Sequence, residues 1–146
     1  MKIRFYKTDP NAKSPSRAHD TDAGWDLYYC GPTTTVPKGQ NRLLETGLKT
    51  EIPNGYFLWI TNRSGMSYKQ GALLGGGIID ESYNLSLKII LNNVSGLETE
   101  TIENGQKIAQ CILLPLPKVE WEESLIDDLN QNSVRGEKGF GSSGKF

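Results

Sequence analysis

The stretch LKTEIPNGYFLWIT, residues 48–61, decides the fold class. Leu48, Thr50 and Ile52 alternate with Lys49 and Glu51, the period of a strand with one buried face. Pro53-Asn54-Gly55 follows, and then the strand-like run YFLWIT. Asn-Gly between two such runs is a strong hairpin signal, so this stretch predicts a β-hairpin.

The same period recurs outward from it. Met1, Ile3 and Phe5 alternate with Lys2, Arg4 and Tyr6. Leu87, Ile89 and Leu91 alternate with Lys88 and Ile90, and Val119 and Trp121 with Glu120 and Glu122. Residues 108–116, IAQCILLPL, are denser in apolar side chains and predict a buried strand. Helical signal is scarce: SLIDDL at 124–129 predicts a turn or two, and Ser64 before GMSYKQ predicts the cap of another. The expectation is one all-β domain over 1–134, a barrel or sandwich, with a glycine-rich tail over 135–146.

Composition narrows the function classes. At 146 residues the chain can bury a core without disulfides or a structural metal. Sixteen glycines and seven prolines fit many short elements joined by turns. The net charge is -1 and the cations are spread along the chain, so no basic stripe for nucleic acid is expected. Cys30 and Cys111 lie far apart, without partners at metal-ligand spacing, and read as small buried hydrophobes of a reducing compartment. There is no apolar run long enough to span a membrane, and MKIRFYKTDP lacks the apolar stretch of a signal peptide. These features predict a soluble protein of the cytoplasm, or of a host's cytoplasm if the source is viral.

Five stretches can carry chemistry. In AGWDLYY, residues 23–29, Asp26 is a turn carboxylate or a functional acid at the start of a strand. In NRSGMS, residues 62–67, Arg63, Ser64 and Gly65 set a guanidinium, a hydroxyl and a bare backbone side by side, a combination suited to an anion such as phosphate. In GGGIIDESY, residues 75–83, three glycines permit close approach to the backbone before Asp80 and Tyr83. That stretch is a β-bulge with a solvated acid, or a base-binding hairpin with its carboxylate aimed into a cleft. In GQKIAQCILLP, residues 105–115, alternation puts Gln110 on one face with Ile108, Ile112 and Leu114. Its amide serves a structural hydrogen bond or a ligand. The fifth stretch is the tail, RGEKGFGSSGKF, in which Arg135 and Phe140 stand among glycines and serines.

In this order and spacing the five stretches resemble the motifs of the trimeric dUTP pyrophosphatase (dUTPase) family. AGWDL is similar to the first motif, RSG to the second, GGGIIDESY to the third, GQKIAQ to the fourth and RGEKGFGSSG to the fifth. The resemblance implies a jelly-roll, β-barrel-like fold assembled as a homotrimer, each active site drawn from all three subunits. It implies hydrolysis of dUTP to dUMP and pyrophosphate with Mg²⁺, which limits uracil incorporation into DNA and supplies dUMP for dTTP synthesis. By matching position, Asp80 is expected as the general base for water attacking the α-phosphorus, and Asp26 as a ligand of the metal through water. Arg63, Ser64, Gly65 and Gln110 are expected on the phosphates. Tyr83 is expected on the deoxyribose, and the backbone at Gly77, Ile78 and Lys88 on the uracil edge. The flexible tail is expected to close as a lid, with Phe140 on the uracil face, Arg135 at the γ-phosphate and the backbone of Gly141 and Ser142 around the triphosphate.

The chemistry of the residues agrees with that assignment. Cleaving a phosphoanhydride requires neutralised charge and a placed water more than a covalent intermediate. His19, the lone histidine, lies outside every motif, which favours a carboxylate base. Asn62, Asn84, Leu85, Gln106, Lys107 and Lys138 depart from the family pattern. Two alternatives share the scaffold: a dCTP deaminase or deaminase–dUTPase hybrid, and a regulatory protein.

Overall fold

The computed structural model describes residues 1–95 and 98–126. Two four-stranded sheets face each other across the core. The first contains β1 (Arg4–Lys7), β4 (Asn41–Glu51), β8 (Ser86–Asn93) and β6 (Ala72–Gly75), side by side in that order. The second contains β2 (Trp25–Tyr28), β10 (Lys107–Pro115), β5 (Tyr56–Thr61) and β7 (Ile78–Ile79). A small ribbon pairs β3 (Thr34–Pro37) with β9 (Thr99–Ile102), and one helix, α1 (Ser64–Gln70), follows β5. The all-β jelly-roll expectation holds.

Alternation builds the core as expected. Leu87, Ile89 and Leu91 point inward from β8, while Lys88 and Ile90 point out. Leu44 and Leu48 from the first sheet share a buried cluster with Leu27, Leu58 and Ile60 from the second. Full burial of such a side chain stabilises by about 1.5–3 kcal/mol, so the two inner faces hold the layers together.

The deciding stretch folds differently from its reading. Pro53–Gly55 closes no hairpin: β4 lies in the first sheet and β5 in the second. Pro53 has no N–H for a ladder, and the strand ends at Glu51. Tyr56 N donates to Pro53 O at 3.2 Å. Gly55 has φ +77°, and no described non-glycine residue has positive φ. The turn is therefore of type II, whereas the hairpin turn I′ needs positive φ at both central positions. It carries the chain across the sandwich, so that Ile52 on one side and Leu58 on the other enter the same core.

Other local expectations are corrected too. Val119 and Trp121 form no strand and Trp121 is fully exposed, because no strand among the described residues pairs with them there. Strand β1 begins only at Arg4, and Phe5 is half-exposed at the edge of its sheet. Ser64 does not cap α1. Arg63 takes the cap position in extended conformation (φ −92°, ψ 132°) without a capping side-chain bond, its guanidinium being engaged elsewhere. Ser124 and Leu125 are not helical, and 127–129 lie outside the described residues. No helix among the described residues is long and apolar enough to cross a membrane.

Candidate functional site

Strand pairing assembles an anion-binding cleft. Gln110 of β10 lies between Asp26 of β2 and Thr61 of β5. Just past Thr61 the chain turns into α1, which brings Arg63, Ser64 and Gly65 to the same end of the sheet. The resulting cleft, ≈ 570 Å³, is lined by Asp26, Arg63, Ser64, Gly65, Lys107 and Gln110 among others.

Asp26 is the electrostatic centre. Arg63 Nε donates to its Oδ1 at 2.7 Å, and Lys107 Nζ to its Oδ2 at 2.7 Å. Its side chain is only 15% exposed, which strengthens both pairs relative to surface ion pairs. The hydrogen bond to Asp26 raises the pKa of Lys107, so the ammonium stays charged through neutral pH. One carboxylate between two cations leaves the trio with a net positive charge, as a polyphosphate requires.

Gln110 does not share a face with Ile108. A register shift between Lys107 and Ala109 breaks the alternation, sending Ile108 into the core and leaving Gln110 in the cleft. Its Nε2 donates to Asn62 O at 2.8 Å. Asn62 Oδ1 in turn accepts from Leu74 N at 2.8 Å and anchors the loop before α1 to β6. Gly24 gives this amide room, since a Cβ there would collide with Gln110 Oε1.

The remaining predicted residues stand together elsewhere. Gly77 has φ +118°, and a Cβ on it would strike Ile60 O, so the glycine is required for β7 to approach β5. Ile78 is exposed opposite Trp59. After Ile79 the chain turns at Asp80, whose carbonyl accepts from Tyr83 N at 3.0 Å, and Tyr83 Oη donates to Ser86 O at 3.0 Å. The Asp80 side chain is exposed and has no partner among the described residues. Glu81 Oε2 accepts from Gly55 N at 2.9 Å, fixing the turn to the crossover loop. Lys88, on the outer face of the first sheet, pairs with Glu45 at 2.7 Å, and that hydrogen bond raises its pKa. Leu85 is exposed, and the turn asks for no positive φ at its position.

The two groups do not meet within one chain. Asp80 falls one step beyond the Ile79–Leu58 pair, level with Phe57, whereas Gln110 is level with Thr61. Four residues of strand separate those levels by about 13 Å, and β5 lies laterally between β10 and β7. Arg135, Phe140, Gly141 and Ser142 lie outside the described residues.

Arg17 was not singled out from the sequence, and Lys107 was noted only as a departure from the family pattern. Lys107 enters through the register of β10 against β2, and Arg17 because Ser16 bridges to Asp26. Neither signal is local, so only the paired strands reveal them. Among the described residues no group of three or more His, Cys, Asp or Glu side chains could hold a metal by itself. Asp26 has a cation on each oxygen. Each oxygen keeps a second lone pair, so Asp26 could accept from the water of a hydrated Mg²⁺ but is not arranged as a direct ligand.

A family model described as dUTPase matches residues 10–144. The deoxyuridine 5′-triphosphate nucleotidohydrolase of Solibacter usitatus is 38% identical and aligns over 99% of this chain and 97% of its own length. A mutant of the Staphylococcus bacteriophage 80alpha dUTPase, solved with dUpNHpp, superposes with a TM-score of 0.86 at 28% identity, covering 98% of each chain. The dUTPase of phage phi11 of S. aureus superposes with a TM-score of 0.77 at 26% identity, over 85% of this chain and 97% of its own. Its Asp-to-Asn mutant structure reveals the coordination of a structural Mg(II) ion. With the sandwich, the cleft and these relatives in agreement, the chain belongs to the dUTPase family.

Proposed function

We propose that this protein hydrolyses dUTP to dUMP and pyrophosphate, with the triphosphate bound in the cleft around Asp26. The observation that carries this reading is the convergence of Arg63 and Lys107 on one carboxylate, beside the Gln110 amide, in a cleft of net positive charge. Arg63, Ser64, Gly65 and Gln110 bind phosphate oxygens. Asp26 would hold Mg²⁺ through water, and the ion, when bound, would supply charge neutralisation on the phosphates. Asp80 takes a proton from the water that attacks the α-phosphorus. Tyr83 packs on the deoxyribose, and the backbone at Gly77, Ile78 and Lys88 reads uracil. The tail over 135–146, with Arg135, Phe140, Gly141 and Ser142, closes the site as a lid.

The separation of Asp80 from the cleft supports a homotrimer with shared sites. A base about 13 Å along the sheet from a phosphate ligand cannot serve it, since a general base must lie within hydrogen-bond reach or one water away. A second copy can bring its own Asp80 to this cleft. Pyrophosphate release measured with dUTP, dTTP, dCTP and UTP tests the substrate. The expected order has dUTP far above the rest, and equal rates for dCTP or UTP would reject it. Hydrolysis in ¹⁸O-water tests the site of attack: label in dUMP is expected, and label in pyrophosphate would move the attack to the β-phosphorus.

A further inference from the structure

The cleft holds a third cation, Arg17, beside the pair on Asp26, with Asp22 also in its lining. Arg63 and Lys107 share Asp26 at 2.7 Å each. Arg17 has weaker company: its Nη1 lies 3.5 Å from Asp22 O, and its Nη2 lies 3.4 Å from Asp20, a carboxylate fully exposed to solvent. An exposed pair of that kind holds a guanidinium loosely. Yet Arg17 is itself positioned, because its guanidinium stacks over the Trp25 ring at 4.7 Å. The ring contact restrains the group, and beyond its long bonds to Asp22 O and Asp20 each terminal nitrogen keeps a second N–H for an oxyanion.

Its place in the cleft says which anion. The Ser16–Arg17 segment bridges to Asp26 on β2, followed by Gln110 on β10 and Thr61 on β5. Three strand spacings, about 14 Å, separate the backbone of that segment from the loop carrying Arg63. A single phosphate held by Arg63 and Gln110 lies on the far side of Asp26 from Arg17. A chain of phosphates can touch both ends. We propose that Arg17 is a further phosphate ligand of this cleft, and that it holds the pyrophosphate portion of the nucleotide and the pyrophosphate product.

This inference rests on the reading of the cleft as the triphosphate site, so the test separates the two. Binding of inorganic pyrophosphate and of dUMP to the full chain is measured by calorimetry with Mg²⁺ present, beside the KM for dUTP. Arg17→Gln should weaken pyrophosphate binding and raise the KM by about tenfold, the loss expected of one charge-assisted hydrogen bond, and leave dUMP binding unchanged. Arg17→Lys keeps the charge without the fork, so it should fall between the two and also serves if the Gln variant does not fold. Unchanged pyrophosphate affinity in both variants would overturn the proposal. Equal weakening of dUMP and pyrophosphate would also overturn it, reducing Arg17 to a support for Trp25. Wild-type protein that binds pyrophosphate at Arg17 but does not hydrolyse dUTP would instead reject the proposed reaction and leave this ligand standing.

Discussion

The cleft around Asp26 and the turn around Asp80 are built on opposite plans. Asp26 is mostly buried, and each of its oxygens already holds a cation from a different element. Asp80 is exposed and unpaired among the described residues, on a turn whose backbone is closed by Tyr83 and Glu81. One carboxylate is fixed by ion pairs within the chain, and the other is presented outward on a hydrogen-bonded turn. A phosphate site gains from donors fixed before the substrate arrives. An outward base gains nothing until another surface brings a phosphorus to it. The proposed sharing of sites between copies of the chain would use that difference.

The largest expected effect tests the outward half. Asp80→Asn should lower kcat by ~10²–10⁴-fold while stability changes by less than about 0.5 kcal/mol, as is usual for an exposed position. Steady-state kinetics and thermal melts check both, and near-normal turnover would give the base role to another group. Mixing then sharpens the comparison. Asp80→Asn and Arg63→Ala are each expected to be nearly inactive, and refolding them together should restore activity if turn and cleft of one site come from different chains. Mixed oligomers without activity would place both in one chain.

Asp26→Asn should show the reverse balance of stability. It leaves two cations facing a neutral amide in a largely buried site, and the expected loss is about 2–4 kcal/mol by chemical denaturation, somewhat less than for a fully buried pair. A variant as stable as Asp80→Asn would mean that the trio adds nothing to the fold. Gly24→Ala should push the Gln110 amide off Asn62 and raise the KM for dUTP by about tenfold, the scale of one disturbed hydrogen bond, with the base untouched. An unchanged KM would remove Gln110 from the phosphates.

The smallest effect belongs to the inner face of the strand that carries Gln110. Burial pushes the Cys111 thiol up to about 11, from 9.0. The folded chain therefore keeps the neutral thiol where the unfolded chain has begun to ionise. That contribution is fully present below pH 9, is lost as pH rises toward 11, and amounts to about 1 kcal/mol at pH 10. Denaturation of wild type and Cys111→Ala at pH 8 and pH 10 reads the difference, which should be smaller in the variant. Equal alkaline losses would assign the slope to other groups.

Much of this was legible in the sequence, and unevenly so. Alternation located β8 because a strand with one buried face writes its period into its own residues, and a dense apolar run located β10. AGWDL, RSG and GQKIAQ were legible because glycine, arginine and glutamine at fixed spacing carry their chemistry locally. Lys107 and Arg17 were not, since what makes them cleft residues is the register of β10 against β2 and the bridge from Ser16 to Asp26. Gln110 was grouped on one face with Ile108 and Ile112, and only Ile112 lies beside it in the cleft, because a bulge shifts the period at Ile108.

By itself the sequence determined that the chain is β-rich, that its elements are short, and that an anion-binding set and a glycine-rich turn are present. These follow from side-chain period, turn chemistry and charge, all of which act over a few residues. Tertiary structure alone decided that Pro53–Gly55 crosses between sheets instead of closing a hairpin. It also decided that Arg63 and Lys107 converge on one carboxylate and that Asp80 stands apart from them. Each of those outcomes depends on which strands pair and in what register. That choice is settled by burying both apolar faces in one core, a property of the whole chain and not of any segment.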